Sequence, residues 1–396
     1  MASAMAVSAA VAHAASPAIL YAASYSGGIT SLKLETDDSG YTLNKISEAP
    51  QCGSNPVWLE HDKKNNLMYC SDEAGTLGVF KVAALNSLTP GVLEALTEMT
   101  TSYAPVASTR FNIGKERGIA FAHYGSSDGG PPGPAGITSY VAGDNGSMRL
   151  VLNLTVKYPG IGPNEARQGA SHIHQVILDP TGKFIVAPNL GSDCVHVYST
   201  HNPSFPLTGL ADVNLEPGSG PRHGVFQTAG DDTFFHLVSE LANNITTFNV
   251  TYDGHSMSMT QIGQVSTFGD KPVPSGALAG EIILSPGGYI TVSNRLDNSF
   301  VIPNLDPKVA DPEPSDSLAV FKVDNKGKLS LVNLYPVGCQ SPRQIQTNKD
   351  GSLLAAACML NNRVVVMQRD ISTGEIGQLV ANYTLPDATF VGWDEV

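Results

Sequence analysis

The chain reads as an all-β protein: a seven-bladed β-propeller of four-stranded antiparallel blades, its ring closed by the C-terminal strand. Three observations predict this. One pattern recurs along the 396 residues: apolar strand, turn, second apolar strand, polar Asn/Asp turn, then often a third alternating strand. The strand runs are rich in Val, Ile, Phe and Tyr and bounded by Gly, Asn, Asp and Pro. Long amphipathic helical patterns are scarce; residues 85–100 come nearest, and Pro90 interrupts them. The absence of strands alternating with helices argues against a doubly wound parallel sheet.

The units follow in order. Residues 19–35 supply a second and a third strand but no first. Residues 57–82 fit the pattern well, and 109–125 with 136–142 fit it around an insertion. Four segments then carry it most clearly: 172–199, 222–250, 281–300 and 343–368. Outer-strand candidates lie between them, among them YTLNKISEAP, MRLVLNLTVKYPG, MTQIGQV, LSLVNLYPVG and GQLVANYTLP. That makes about seven units of roughly 50–65 residues, which repeated radially describe a propeller. The missing first strand is ATFVGWDEV (388–396), which resembles NPVWLEHD (55–62). Its pairing into the first blade removes an exposed sheet edge. Residues 17–396 are thus expected to form one propeller domain, with 127–136 and 294–317 as loops within blades.

Residues 1–16 read as a signal or a disordered segment. They are Ala-rich and end in a small-residue pattern but lack a positive start, so secreted and cytoplasmic locations both stay open. Five sequons, at Asn145, Asn153, Asn244, Asn249 and Asn382, favour secretion. The net charge of −13, without a Lys/Arg cluster, argues against nucleic-acid binding. No apolar run after the first residues is long enough to span a bilayer. The five cysteines show no paired spacing, so no disulfide framework or zinc site is expected; Cys70, Cys194 and Cys358 read as buried strand thiols.

In a propeller the innermost strands run along the channel and present their ends at its mouth. Here those starts are Ser-His172-Ile-His174, Pro221-Arg222-His223, Gly280-Glu281 and Pro342-Arg343-Gln344. Second strands end in Asn189, Glu240 and Arg295. Two His, several Arg and two Glu converging on one opening suit a small carboxylated substrate.

Gly-Pro-Arg-His (220–223), Ser-Glu-Leu-Ala-Asn-Asn (239–244), Asp-Pro-Thr-Gly-Lys-Phe (179–184), Asn-Leu-Gly-Ser-Asp (189–193) and Ser-Asn-Arg (293–295) resemble the seven-bladed propeller lactonase family. That family includes a bacterial type of 6-phosphogluconolactonase and the fungal 3-carboxy-cis,cis-muconate lactonizing enzyme. The resemblance covers nearly the whole chain, best over 170–370, and implies a catalytic set of His174, Arg222, Glu240 and Arg295. An imidazole titrates near neutral pH and suits general acid–base work. Glu240 is expected to orient that imidazole or to act as the base, and its replacement by Gln to spare the fold. The two Arg suit carboxylate binding and developing negative charge. His172, Asn189, Glu281 and Arg343 are expected as substrate-binding residues, with Glu281 and Arg343 more structural than catalytic; His123, His196, His223 and His236 receive no role. The implied activity is opening or forming a lactone of a small carboxylated substrate, by hydrolysis or as a carboxymuconate cyclase. No cofactor or metal is implied. The competing reading is a propeller that binds a ligand or protein without catalysis. The oligomeric state is not legible.

Overall fold

The computed structural model describes residues 18–395 except 39, 50–51, 127–132, 157–161 and 202–205. The expected signal segment 1–16 and most of the Gly/Pro loop 127–136 lie outside the described residues. Every regular element among the described residues is a strand. The strands form seven antiparallel blades in chain order around a ring. Blade 2, for example, runs Pro56–Asp62, Leu67–Asp72, Thr76–Val82 and Leu93–Thr100 from the channel outward. Its outer strand falls within 85–100, the stretch that came nearest to a helical pattern. In blade 1 the innermost strand is Ala388–Asp394, paired antiparallel to Ala18–Ser24 with Leu20 opposite Trp393. The C-terminal strand therefore closes the ring, as expected.

The core is seven apolar clusters, one between each pair of neighbouring blades. Blade 7 shows how the sequence builds them. Along Leu353–Cys358, Leu353, Ala355 and Ala357 pack toward blade 1, while Leu354, Ala356 and Cys358 pack toward blade 6. Strand side chains alternate faces, and both faces here are covered, so the run is apolar throughout. Val364 and Val366 against Val365 and Met367 repeat the division one strand out.

Two features depart from expectation. Cys52–Cys70 and Cys339–Cys358 are disulfides, with Cα separations of 6.2 and 6.0 Å, both within bonding range. Each joins the loop before an inner strand to the second strand of the same blade, so their sequence separations are nearly equal, 18 and 19. Cys194 alone is a free, buried thiol. Secondly, the first strand of blade 4 is reduced to Ile177–Leu178 plus one bridge from Ile173 to Asn189. His174 N–H donates to Pro188 O at 3.0 Å, but Pro188 has no N–H to return, and the ladder breaks there. The loop 294–317 carries a small hairpin, Phe300–Ile302 with Glu313–Ser315, tied to blade 7 by a two-pronged Glu313–Arg363 ion pair.

Candidate active site

The inner strands Pro56–Asp62, Pro105–Ile113, Pro221–Ala229 and Pro342–Thr347 each begin with proline. Each then slips register by one residue: between Pro56 and Trp58, Pro105 and Ala107, Pro221 and His223, and Pro342 and Gln344. Leu278–Ser285 slips between Ala279 and Ile282. Such bulges free one residue from the ladder and re-aim its side chain. The freed residues Val106, Arg222 and Arg343 all line one cavity of about 550 Å³ at the channel mouth. Trp58, Ile282 and Gln344, just after the slips, and Glu281, within one, line a second cavity of about 360 Å³ in the channel.

Glu240 is the centre of the first cavity's polar wall. Its Oε1 lies 2.5 Å from Arg167 Nη2, and its Oε2 lies 3.0 Å from Arg222 Nε and 2.7 Å from Arg295 Nη2. Its backbone is fixed on two sides, by N–H donation to Gly220 O and by Ala279 N–H donating to its carbonyl. Only 1% of it is exposed. Burial alone would raise its pKa, but Arg295, Arg167 and Arg222 outweigh that and hold it down at about 2. Among the described residues no hydrogen bond joins Glu240 to an imidazole. The sequence reading that paired it with His174, or made it the base, is corrected: it is a fixed anion in a cage of three guanidiniums.

The cage is also held from behind. Arg222 Nη1 donates to Gly280 O at 2.8 Å, and Arg295 Nη2 to Ala279 O at 3.2 Å. Asp193 accepts the N–H groups of Gly218 and Gly220, both at 2.7 Å, which sets the loop leading into Arg222. Burial and the neighbouring Arg295 push the Arg222 guanidinium down to about 9, so Glu240 leaves it under-compensated. Across the cavity, Arg343 Nη2 donates to Glu73 Oε1 at 2.9 Å, and the Tyr25 hydroxyl donates to the same oxygen at 2.8 Å. Four guanidiniums thus face two carboxylates in a chain of net charge −13.

His174 is at the cavity wall. Burial, then the charges of Arg222, His223 and Arg343, lower its pKa well below 6.5, so the ring is neutral at neutral pH. Its Nδ1 lies 3.0 Å from His223 Nε2, and His223 Nδ1 lies 2.7 Å from Glu281 Oε1. The Tyr124 ring meets His174 edge-on at 5.5 Å.

Of the eight residues expected from the sequence, His174, Arg222, Glu240, Arg295 and Arg343 line this cavity. Glu281 does not; it is buried behind His223 and lines the second cavity. His172 and Asn189 stand outside the lining. His172 stacks on Tyr124 at 4.0 Å and bonds its carbonyl through Nδ1, while Asn189 Oδ1 accepts the His172 N–H. Both brace the wall. Sequence reasoning missed Arg167, Glu73, Tyr25, Tyr124 and His223. Arg167 sits in a loop outside the repeat, anchored by Gln168 Nε2 donating to Leu190 O at 3.0 Å. His223 directly follows Arg222, and only the bulge lets both point inward.

Comparison with known proteins identifies the family and the fold. The family model for a 7-bladed β-propeller lactonase matches residues 19–393. A curated protein of Arthroderma benhamiae named "Probable 6-phosphogluconolactonase" is 28% identical over 362 residues, covering 90% of this chain and 84% of that one. The 6-phosphogluconolactonase of Bacillus subtilis is 22% identical, covering 91% and 93%. The solved structure of a periplasmic gluconolactonase from Pseudomonas aeruginosa superposes with a TM-score of 0.78 at 22% identity, covering 96% of this chain and 100% of that one; this likeness carries the fold. The chain belongs to the lactonase family of seven-bladed β-propellers.

Proposed function

We propose that this protein hydrolyses the lactone of a small anionic, carboxylated substrate at the channel-mouth cavity. The observation that carries the reading is the excess of guanidinium over carboxylate around His174 in an otherwise acidic chain. A carboxylate entering there compensates Arg222 and Arg343, and paired donors of this kind orient it. His174 Nε2 then takes a proton from water as the oxygen attacks the ring carbonyl. The negative charge that develops on the carbonyl oxygen is stabilised by the fixed guanidiniums, which need no reorganisation. As the C–O bond breaks, His174 returns the proton to the ring oxygen. The bound anion also offsets the Arg charges that hold the His174 pKa down, so binding strengthens the base.

Two disulfides support folding in an oxidising compartment, and hence secretion. A secreted enzyme fits an external sugar-acid lactone better than an intracellular phosphorylated one. The relatives named for 6-phosphogluconolactone make the phosphorylated lactone the competing substrate, since the same cage accepts a phosphate.

The test is acid release at constant pH on 6-phosphogluconolactone, gluconolactone, a carboxylated aldarolactone and a muconolactone, with His174→Ala as control. Release that needs His174 and is fastest for the carboxylated sugar lactone supports the reading. Fastest release from 6-phosphogluconolactone replaces the substrate class, and muconolactone as the sole reactant favours the cyclase direction. Activity equal in His174→Ala refutes the site.

A further inference from the structure

We propose that His223 and Glu281 form with His174 one hydrogen-bonded chain across the channel, which sets the tautomer of His174 and shares the positive charge that it acquires in turnover. The proposal rests on His174 being the base. Neither His223 nor Glu281 touches the substrate cavity, so both are positioning residues.

Three consecutive blades each supply one member, and each does so through a local irregularity. His174 lies opposite Pro188, where the ladder breaks, His223 follows the slip after Pro221, and Glu281 sits in the slip between Ala279 and Ile282. A regular strand would send neighbours to opposite faces. The irregularities let Arg222 serve the cavity while His223 turns to the layer below. His223 is 2% and Glu281 3% exposed, so solvent does not compete for their contacts.

The direction of the chain follows from donors and acceptors. Glu281 Oε1 already accepts the Ile282 N–H at 3.0 Å, so it meets His223 Nδ1 as an acceptor. His223 therefore carries its proton on Nδ1, and its Nε2 has the lone pair. That lone pair accepts from His174 Nδ1–H at 3.0 Å. The remaining nitrogen of His174, Nε2, is left with the lone pair that a base requires. A carboxylate two groups away thus selects the reactive tautomer.

The same chain handles charge. When Nε2 takes a proton from water, positive charge appears near Arg222 and Arg343, which oppose it together with burial and His223. The Nδ1 proton of His174 shifts toward His223 Nε2, and that of His223 toward Glu281, moving charge away from the guanidiniums. As the ring oxygen is reprotonated, both protons shift back, so none is gained or lost over a cycle. The groups acting on His223 are Glu281, Arg222, Glu240, His174 and the Trp58 ring, whose edge-on contact is 5.8 Å. Among the described residues Glu281 Oε2 has no hydrogen-bond partner, and Glu281 lines the second cavity. Truncating Glu281 to Ala joins its place to that cavity, by which a small carboxylate is expected to enter.

The test uses that access. Glu281→Ala is expected to lose about 100-fold in kcat while KM stays within about twofold, because only proton transfer is impaired. Formate should restore a large part of the loss, and formamide, of similar size, should not. Equal rescue by both, or none by either, overturns the charge role. Glu281→Gln, which keeps the shape and an acceptor oxygen, guards against misfolding: it is expected to lose about tenfold in kcat, and wild-type turnover overturns the proposal. Nitrogen-15 spectra of the imidazoles test the tautomer without substrate. His174 should hold a bare Nε2 in the wild type and a tautomer mixture in Glu281→Ala; an unchanged His174 signal overturns the chain. If the wild type opens no lactone, the proposed function fails, and the spectra still decide the chain.

Discussion

Replacing Glu240 by Gln removes the one anion shared by Arg167, Arg222 and Arg295, and the cost can be worked from the structure. The carboxylate is held at about pKa 2 against an ordinary 4.5. At about 1.36 kcal/mol per pH unit, that gap is worth about 3 kcal/mol of folding stability. Removing one partner of a buried ionic cluster costs about 3–5 kcal/mol, because the remaining charges stay buried without compensation. With about 2.1 cal/mol/K per residue over ~380 residues, the melting temperature should fall by about 4–6 °C. The sign in pH is fixed. The folded pKa lies below the unfolded one, so the stabilisation is complete above pH 4.5 and is lost as pH falls toward 2. Calorimetry of wild type and Glu240→Gln at pH 7 and in steps down to pH 3 should show the two melting curves converging. Phosphate should restore part of the loss at pH 7, since an added anion takes up the uncompensated guanidiniums. A variant that melts within a degree of wild type at pH 7, or a gap that does not narrow on acidification, refutes the cage as a stabilising element. It would then reinstate the earlier expectation that this carboxylate can be neutralised without cost to the fold.

Three other outcomes are expected. Because burial and adjacent guanidiniums lower the His174 pKa well below 6.5, kcat/KM should stay flat as pH falls to 6.5 and decline only beneath it; an acid limb centred at or above 6.5 in the rate profile contradicts the assignment. Arg343→Leu should raise KM for a carboxylated lactone more than it lowers kcat, since it removes ground-state binding of the anion, and kinetics with an uncharged lactone should show little change. Deleting residues 388–396 strips the inner strand from blade 1, removing the buried Phe390, Val391 and Trp393, each worth about 1.5–3 kcal/mol when buried, and leaving Ala18–Ser24 without its partner strand; circular dichroism should show a molten or aggregated chain, and a normal melting transition would argue against this closure.

The ring was legible because a blade is covered on both faces. That forces continuous apolar strands such as Leu353–Cys358 and Arg363–Arg369 between polar turns, a contrast visible in one sequence. Part of the cavity lining was legible for a related reason: Arg222, Glu240, Arg295 and Arg343 occupy strand ends, which a propeller gathers at one mouth. What stayed hidden depends on position within the ring. Arg167 is placed by Gln168 and Leu190, not by a repeat. Period-two alternation would have turned His223 away from Arg222, and the bulge that prevents this leaves no mark in composition. Cys52–Cys70 and Cys339–Cys358 could have been found by aligning the repeats, because each pair holds the same two places in its blade.

Glu240 differs in its partners from the loop carboxylates at this end of the ring, and the difference bears on the charge of the site. Asp193 takes the backbone N–H groups of Gly218 and Gly220; Asp316 takes those of Leu296, Asn298 and Ser341. Asp72 accepts Ala74 N–H at 2.8 Å in the same manner. These groups spend their lone pairs on neutral main-chain donors and fix the loops between blades. Glu240 spends its own on guanidiniums from the loop before blade 4, from blade 5 and from blade 6. Neutral donors leave a loop satisfied, whereas three cations around one anion leave an excess of positive charge fixed in space and largely out of water. The loop carboxylates therefore make the mouth rigid, and Glu240 makes it cationic without letting the guanidiniums drift apart. Preorganised charge of this kind acts on a substrate anion or a developing oxyanion with little reorganisation. A propeller supplies it cheaply, because successive blades bring distant chain segments to one axis.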